Sequence, residues 1–464
     1  MFRKPMALAV LAALSGAAGA ADDAELAAIR SQIAELKKSY EQRIAALEDK
    51  LAQTRAAAAA PAGPAPAAPT VAAASAFNPE VSLILQGQYK SMKNIAERGV
   101  TGFWPAAGHD HEEGGIKGIS RRGFSVEHTE LMLGANIDPY WRGQATLAVA
   151  DGEVEVEEAW FQSLGIGHGI GLKGGRFRSG IGYLNEQHAH AWDFADAPLM
   201  YAALFGEHAS YAQDGLQLKW LAPTPMLVEF GAEFGRGANF PGTDRNKNGA
   251  GAAAFHVHLG DDVGTASSWR AGLSYLRTRA REREAEVHDA NDVHGDALFT
   301  GRSRTWIADF VWKWSPDGNP KYRNLKLQGE YFDRRENGDI ACTSAEAGAA
   351  CSGALDRYRS SQSGWYAQAV YQFTPNWRAG VRYDRLNSGS TRIGAAAQAE
   401  IGDENAIFHK YRPSRGTLMV DYSWSEFSRL RLQYARDKSM AGIADNQFTV
   451  QYIMSLGAHG AHKF

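Results

Sequence analysis

Cysteine is almost missing from this 464-residue chain, which holds only Cys342 and Cys351. Two thiols are too few for a four-cysteine zinc site and are not spaced as a thioredoxin-like pair. Long apolar runs are missing too. Beyond the first twenty residues no stretch approaches the roughly 20 apolar residues that a membrane-crossing helix needs. Charge of one sign is not in excess either: 49 Lys and Arg stand against 52 Asp and Glu, a net charge of -3. No nucleic-acid partner is expected. No G-x-S-x-G or H-E-x-x-H motif occurs, and the glycines of GIGHGIGLKGG are followed by no helix that could make a nucleotide fingerprint. Neither an enzymatic activity nor a cofactor is expected.

What the chain does have is alternation. In its last stretch Phe448, Val450, Tyr452, Met454 and Leu456 share one face and Thr449, Gln451 and Ser455 the other, with Ile453 out of pattern. Sixteen segments of this kind are predicted between residues 81 and 456, and no long amphipathic helix is available to cover them. From the second segment on, tight turns such as 138–140, 165–168, 222–225 and 374–376 alternate with connections that are mostly long: 179–210, 236–249, 279–302, 333–361 and 387–414. Sorting loop length by parity is the organisation of a transmembrane barrel with its long loops outside the cell. The fold class read from this is all-β, a 16-stranded antiparallel transmembrane β-barrel over 77–464.

The barrel has a preface. Residues 1–20 combine Arg3 and Lys4, an apolar run and Ala18-Gly19-Ala20, the signature of a secretory signal peptide. Residues 21–55 predict a short periplasmic α-helix with a stripe of Leu26, Ile29, Ile33, Leu36 and Tyr40, read as a coiled coil joining subunits. Residues 56–76 form a Pro/Ala tether.

Face assignment gives the lumen its chemistry. Trp365, Ala367, Ala369, Tyr371 and Phe373 face lipid, as do Leu430, Leu432 and Tyr434, which turns Arg378, Arg382, Arg429 and Arg431 inward. The connection 179–210 carries Glu186, Asp193, Asp196 and Glu207 with His188, His190 and His208, and has no Lys or Arg. Folded into the lumen opposite the four arginines, it would set up a transverse field at a constriction. That constriction is expected from Glu186, His188, His190, Asp193, Asp196, Arg378, Arg382, Arg429 and Arg431. Close histidine pairs, among them His109/His111, His256/His258 and His459/His462, could ligate a divalent ion only with a third ligand from elsewhere, and no metal site is assigned. In a secreted chain Cys342 and Cys351 are expected to form a local disulfide.

The signal peptide, coiled-coil-like segment, Pro/Ala tether, sixteen strands and terminal Phe464 together resemble bacterial outer-membrane porins, particularly the phosphate-selective type. The resemblance implies a water-filled channel for small polar or charged solutes in a Gram-negative outer membrane, bound by outer-membrane lipid and assembled as a homotrimer. It also implies that loop 179–210 folds inward. Its acidity speaks against phosphate selectivity. A non-conducting structural or adhesive barrel, or a channel tuned to divalent metal ions, is the alternative.

Overall fold

The computed structural model describes residues 80–95, 98–104, 122–126, 129–150, 153–206, 209–316, 318–402 and 405–457. The signal segment 1–20, the helix 21–55, the tether 56–76, Phe464, Glu207, His208 and the pairs His109/His111 and His459/His462 lie outside the described residues.

Seventeen β segments follow one another: β1 (Glu80–Ser91), β2 (Gly123–Val126), β3 (Thr129–Asn136), β4 (Trp141–Ala150), β5 (Glu153–Ser163), β6 (Ile170–Arg178), β7 (Ala212–Leu221), β8 (Leu227–Gly235), β9 (Ala252–Val263), β10 (Ser267–His288), β11 (His294–Trp314), β12 (Asn324–Thr343), β13 (Asp356–Gln372), β14 (Trp377–Ile393), β15 (Ser414–Ser425), β16 (Ser428–Lys438) and β17 (Asp445–Gly457). β2 and β3 both pair with β1, through Tyr89 opposite Phe124 and Leu83 opposite Leu131, and are two parts of one stave. Each stave is antiparallel to the next, and β17 returns to β1 with Gln86 opposite Ile453. The result is a closed 16-stranded antiparallel barrel. Closure leaves no sheet edge, so every stave has a partner on both sides.

The alternation sorts side chains as the sequence requires. Phe310, Tyr331, Trp365, Val381, Leu418, Leu432 and Phe448 are exposed outward, while Gln328, Glu330, Gln368, Asp384 and Gln451 are buried inward. An outward apolar belt around a closed barrel with a polar interior is the arrangement of an outer-membrane barrel bathed in lipid, since only there does that surface leave water. Ile453 is buried inside, the one apolar residue of the last strand that breaks the alternation.

One expectation from the sequence is corrected. The stretches 279–302 and 333–361 are mostly strand: β10, β11 and β12 run for 22, 21 and 20 residues and carry the wall well above the apolar belt. A β-bulge between Ala280 and Arg283 shifts the phase of the alternation in a run of four charged residues, 281–284, so the local pattern does not carry through. Inside, Ala285, Val287, Ala297, Phe299 and Ile340 form a second apolar cluster with Trp104 and Tyr358, which holds the extension together. Cys342 and Cys351 are joined there, with Cα atoms 4.9 Å apart.

Candidate functional site

The connection between β6 and β7 folds into the barrel. Its base is closed by Asn185, whose side-chain amide donates to Ser179 O and Tyr211 O and whose Oδ1 accepts from Tyr211 N at 2.6 Å. Pro198 opens helix α1 (Leu199–Phe205), and six of that helix's seven residues are buried. Leu199, Met200, Tyr201 and Leu204 pack with the inward-facing Ile307, Phe332, Tyr366 and Leu386. Tyr201 also donates its hydroxyl to Glu330 at 2.9 Å. An apolar helix inside a polar lumen is therefore matched by apolar positions on the strands it meets.

Charge fixes the loop on two sides of the lumen. Toward β3 and β5, His188 Nδ1 lies 3.0 Å from carboxylate oxygens of Glu130 and Glu157, and its Nε2 lies 2.9 Å from Glu158. Burial and Arg178 work against a charged imidazole, but these carboxylates outweigh them and hold the His188 pKa well above its ordinary value. His190 stacks on His188 with ring centroids 5.8 Å apart. Toward β12, β14 and β15, Asp193 meets Lys326 at 3.0 Å and Arg378 at 3.1 Å, while Asp196 meets Arg382 at 3.0 Å and also pairs with Arg415. From β16, Arg429 donates to His190 O at 2.7 Å and Arg431 to Trp192 O at 2.9 Å. Burial raises the Asp193 carboxyl, yet Lys326 and Arg378 prevail and hold its pKa at about 2. Glu186 sits apart from these, 3.2 Å from Lys219.

All nine residues expected at the constriction therefore lie on or against the inward-folded loop, but in a different electrostatic arrangement. In place of carboxylates facing arginines across open water, Asp193 and Asp196 contact the wall cations directly, and Arg429 and Arg431 bind loop carbonyls. A carboxylate this deep is held by contact with its counter-ions, because an unpaired buried charge costs several kcal/mol. Sequence reasoning left out Lys326, Arg415, Asp421, Glu130, Glu157 and Glu158 as partners. The parity of Leu418, Val420 and Tyr422 was the available signal for Asp421, whose Oδ1 accepts from Arg431 Nε at 2.9 Å.

A second cluster lies on β8 and β9. His256 and His258 stack with centroids 4.7 Å apart, and Glu229 Oε1 is 3.1 Å from His258 Nδ1 and 3.9 Å from His256 Nε2. The His256 side chain is fully buried, and neither of its ring nitrogens has a hydrogen-bond partner, nor does His258 Nε2. The ring lies against glycines: a Cβ on Gly231 would come within 2.0 Å of His256 Nε2, and one on Gly180 within 2.6 Å of Cε1. Three ligand atoms within 4.8 Å of one another, with unused imidazole nitrogens, could hold a divalent cation.

No family model matches the chain. An uncharacterized protein of Aquifex aeolicus is 30% identical over 419 residues, which span 84% of this chain and 80% of that protein. Among solved structures, a loop-deletion mutant of OmpT, an outer membrane protein of Vibrio cholerae, is 10% identical with a TM-score of 0.48, covering 82% of this chain and 99% of that one. Pseudomonas putida OprB at high pH is 14% identical with a TM-score of 0.47, covering 82% and 94%.

Proposed function

The chain belongs to the family of that Aquifex aeolicus protein, and we propose that it is a porin, a passive channel for small polar or charged solutes across a Gram-negative outer membrane, narrowed by loop 179–210. The observation that carries this is the loop's attachment to two sides of a polar lumen: His188 on Glu157 and Glu158, and Asp193 and Asp196 on Lys326, Arg378, Arg382 and Arg415. A barrel that only displayed its loops outward would have no use for a segment bound across its interior. The apolar packing of α1 fills part of that interior, so the channel is narrow and its conductance small. Ion-paired loop carboxylates and wall cations bound the remaining water, and such walls favour polar permeants over apolar ones.

The trimer belongs to the same reading. Three copies of the stripe Leu26, Ile29, Ile33, Leu36 and Tyr40 bury what one exposes. Mass measurement in mild detergent, with and without residues 21–55, tests it; a full-length monomer would remove this part alone. The channel is tested by recording from the purified protein in planar bilayers, and correctly folded protein without conductance would leave a structural barrel.

One observation favours a second reading, a lumen tuned to divalent metal ions: the unpartnered nitrogens of His256 and His258 beside Glu229. Calorimetric titration with zinc, compared between the protein and H256A/H258A, decides it. Equal heats in both would discard this reading without touching the first.

A further inference from the structure

On the outer face of β10, β11 and β12, arginines stand directly opposite arginines. Arg277 pairs in register with Arg304, Arg304 with Arg335, and Arg279 with Arg302. Directly opposite side chains have Cβ atoms about 4.5–5.5 Å apart, where like charges repel. Three strands at about 4.8 Å spacing put Arg277, Arg304 and Arg335 in a row roughly 10 Å wide, with Arg279 and Arg302 one step above. On the same face Asn337 lies between Arg302 on one side and Arg359 on the other. Among the described residues Arg277, Arg279, Arg302, Arg304 and Arg359 have no ion pair, and Arg335 has only Asp333, at 3.0 Å. Elsewhere on the outer face Arg176 is matched with Asp214 at 2.7 Å and Arg236 with Asp244, while Arg385 and Arg436 stand singly, so this is where unmatched arginines face one another in register.

The height of the patch is informative. Trp269 and Trp312 lie opposite each other near the turn end of β10 and β11, and Arg277 is eight residues further up. At about 3.3 Å per residue and a tilt of about 40°, that is roughly 20 Å, against an apolar band about 25 Å tall. The arginines therefore sit near the upper edge of that band, from which their long side chains reach the lipid headgroups. Immediately beneath them are Tyr275 and Trp306, rings 4.7 Å apart. Lower still, the small side chains of Ala308, Gly329, Ala367 and Ala369 leave an apolar groove of about 1040 Å³ on the outer wall, edged by Phe310, Tyr331, Trp365 and Tyr383.

A row of unmatched guanidinium groups above an apolar groove complements one kind of molecule, an amphiphile with acyl chains and several phosphates. Guanidinium binds phosphate through paired, charge-assisted hydrogen bonds, and a ligand anion would cancel the repulsion built into the register. We propose that this patch is a binding site for a multiply phosphorylated lipid of the outer leaflet, its phosphates on Arg277, Arg302, Arg304 and Arg335 and an acyl chain in the groove below. A second copy of the chain is a poorer fit, because this face would need a matching acidic surface. The proposal rests on the outer-membrane placement but not on conduction.

The test uses lipopolysaccharide as the probe. The full-length protein and R302Q/R304Q/R335Q are incubated with vesicles of phosphatidylcholine containing intact lipopolysaccharide, dephosphorylated lipopolysaccharide or neither, extracted in mild detergent, and examined by native mass spectrometry for lipid adducts. The protein is expected to retain intact lipopolysaccharide about tenfold or more above the variant, to lose it in high salt, and to ignore the dephosphorylated form. R302K/R304K/R335K, which keeps the charge, should retain an intermediate amount, and unchanged conductance and gel mobility of both variants would show that the barrel is intact. Equal retention by the protein and the glutamine variant, or equal retention of the dephosphorylated lipid, would overturn the site. So would cross-linking of a cysteine placed at 304 to a second copy of the chain. Recovery of the protein outside the outer membrane would instead defeat the placement on which the proposal rests.

Discussion

Asp193 Oδ1 lies 3.1 Å from Arg378 Nη1, although 185 residues separate them in the chain. The same carboxylate reaches Lys326 on the neighbouring side with its other oxygen, at 3.0 Å. A single loop residue thus ties β12 to β14 from inside the barrel, and the next acid along, Asp196, ties β14 to β15 through Arg382 and Arg415. The loop is a strut across the lumen as well as a lining.

Removing that strut should be felt in both stability and selectivity. Breaking one partner of a buried pair typically costs about 3–5 kcal/mol, so D193N/D196N is expected to loosen loop 179–210 by at least the lower figure while the wall stays folded. Two negative charges would be gone from the loop while Lys326, Arg378, Arg382 and Arg415 remain, the arginines held by Asp421, Asp384 and Asp437 on the wall, and the reversal potential in asymmetric salt should move toward anions. Wild-type reversal potential and noise in the double variant would contradict the ion-pair geometry.

Acid should act on the same contact late. The Asp193 pKa is held at about 2 against an ordinary 3.8, so its stabilising contribution is fully present above pH 3.8 and is lost as pH falls through 2. Fluorescence of the buried Trp192 beside it should be constant from pH 7 to 4 and change only near 2. A transition between pH 4 and 5 would mean that the carboxylate is not paired.

Gly231 is expected to tolerate no side chain. A Cβ there would overlap the His256 ring, which Gly180 blocks from its other side, so G231A must expel the imidazole or bend the strand. Thermal denaturation should fall by several degrees, and any zinc binding should be lost with it. Full stability would show that the ring has room.

Protease access distinguishes the extended strands from loops. Residues 289–293, between β10 and β11, and 344–355, between β12 and β13, are the exposed connections, whereas 279–288 and 294–302 are paired strand. Cleavage of intact cells should fall at those tips, unlike the broad susceptibility that the sequence alone implied. Cuts between 294 and 302 would contradict the hairpin.

The difference between what the sequence disclosed and what it hid follows from range. Alternation is local, and from Trp365 to Phe373 or from Arg429 to Tyr434 it assigned each face as the structure has it. The strand above Thr278 is hidden in the sequence because Arg281, Glu282, Arg283 and Glu284 are all charged and a bulge shifts the phase there; only the register places Arg283 inside on Glu336, at 2.8 Å. The acids of loop 179–210 point to the lumen, but the apolar LMYAALF segment that seats it is too short a helix to show a period in the sequence. Glu130, Glu157 and His188 meet because successive antiparallel pairings set β3, β4, β5 and β6 side by side and the loop that leaves β6 turns back into the lumen over them.

Planar bilayer recording tests the central claim most directly: purified full-length protein, and the variant D193N/D196N, measured for conductance and for reversal potential in asymmetric salt. The expected result is small, stable steps from the unaltered protein and a shift toward anions in the variant; folded protein that passes no current in either form would contradict the channel.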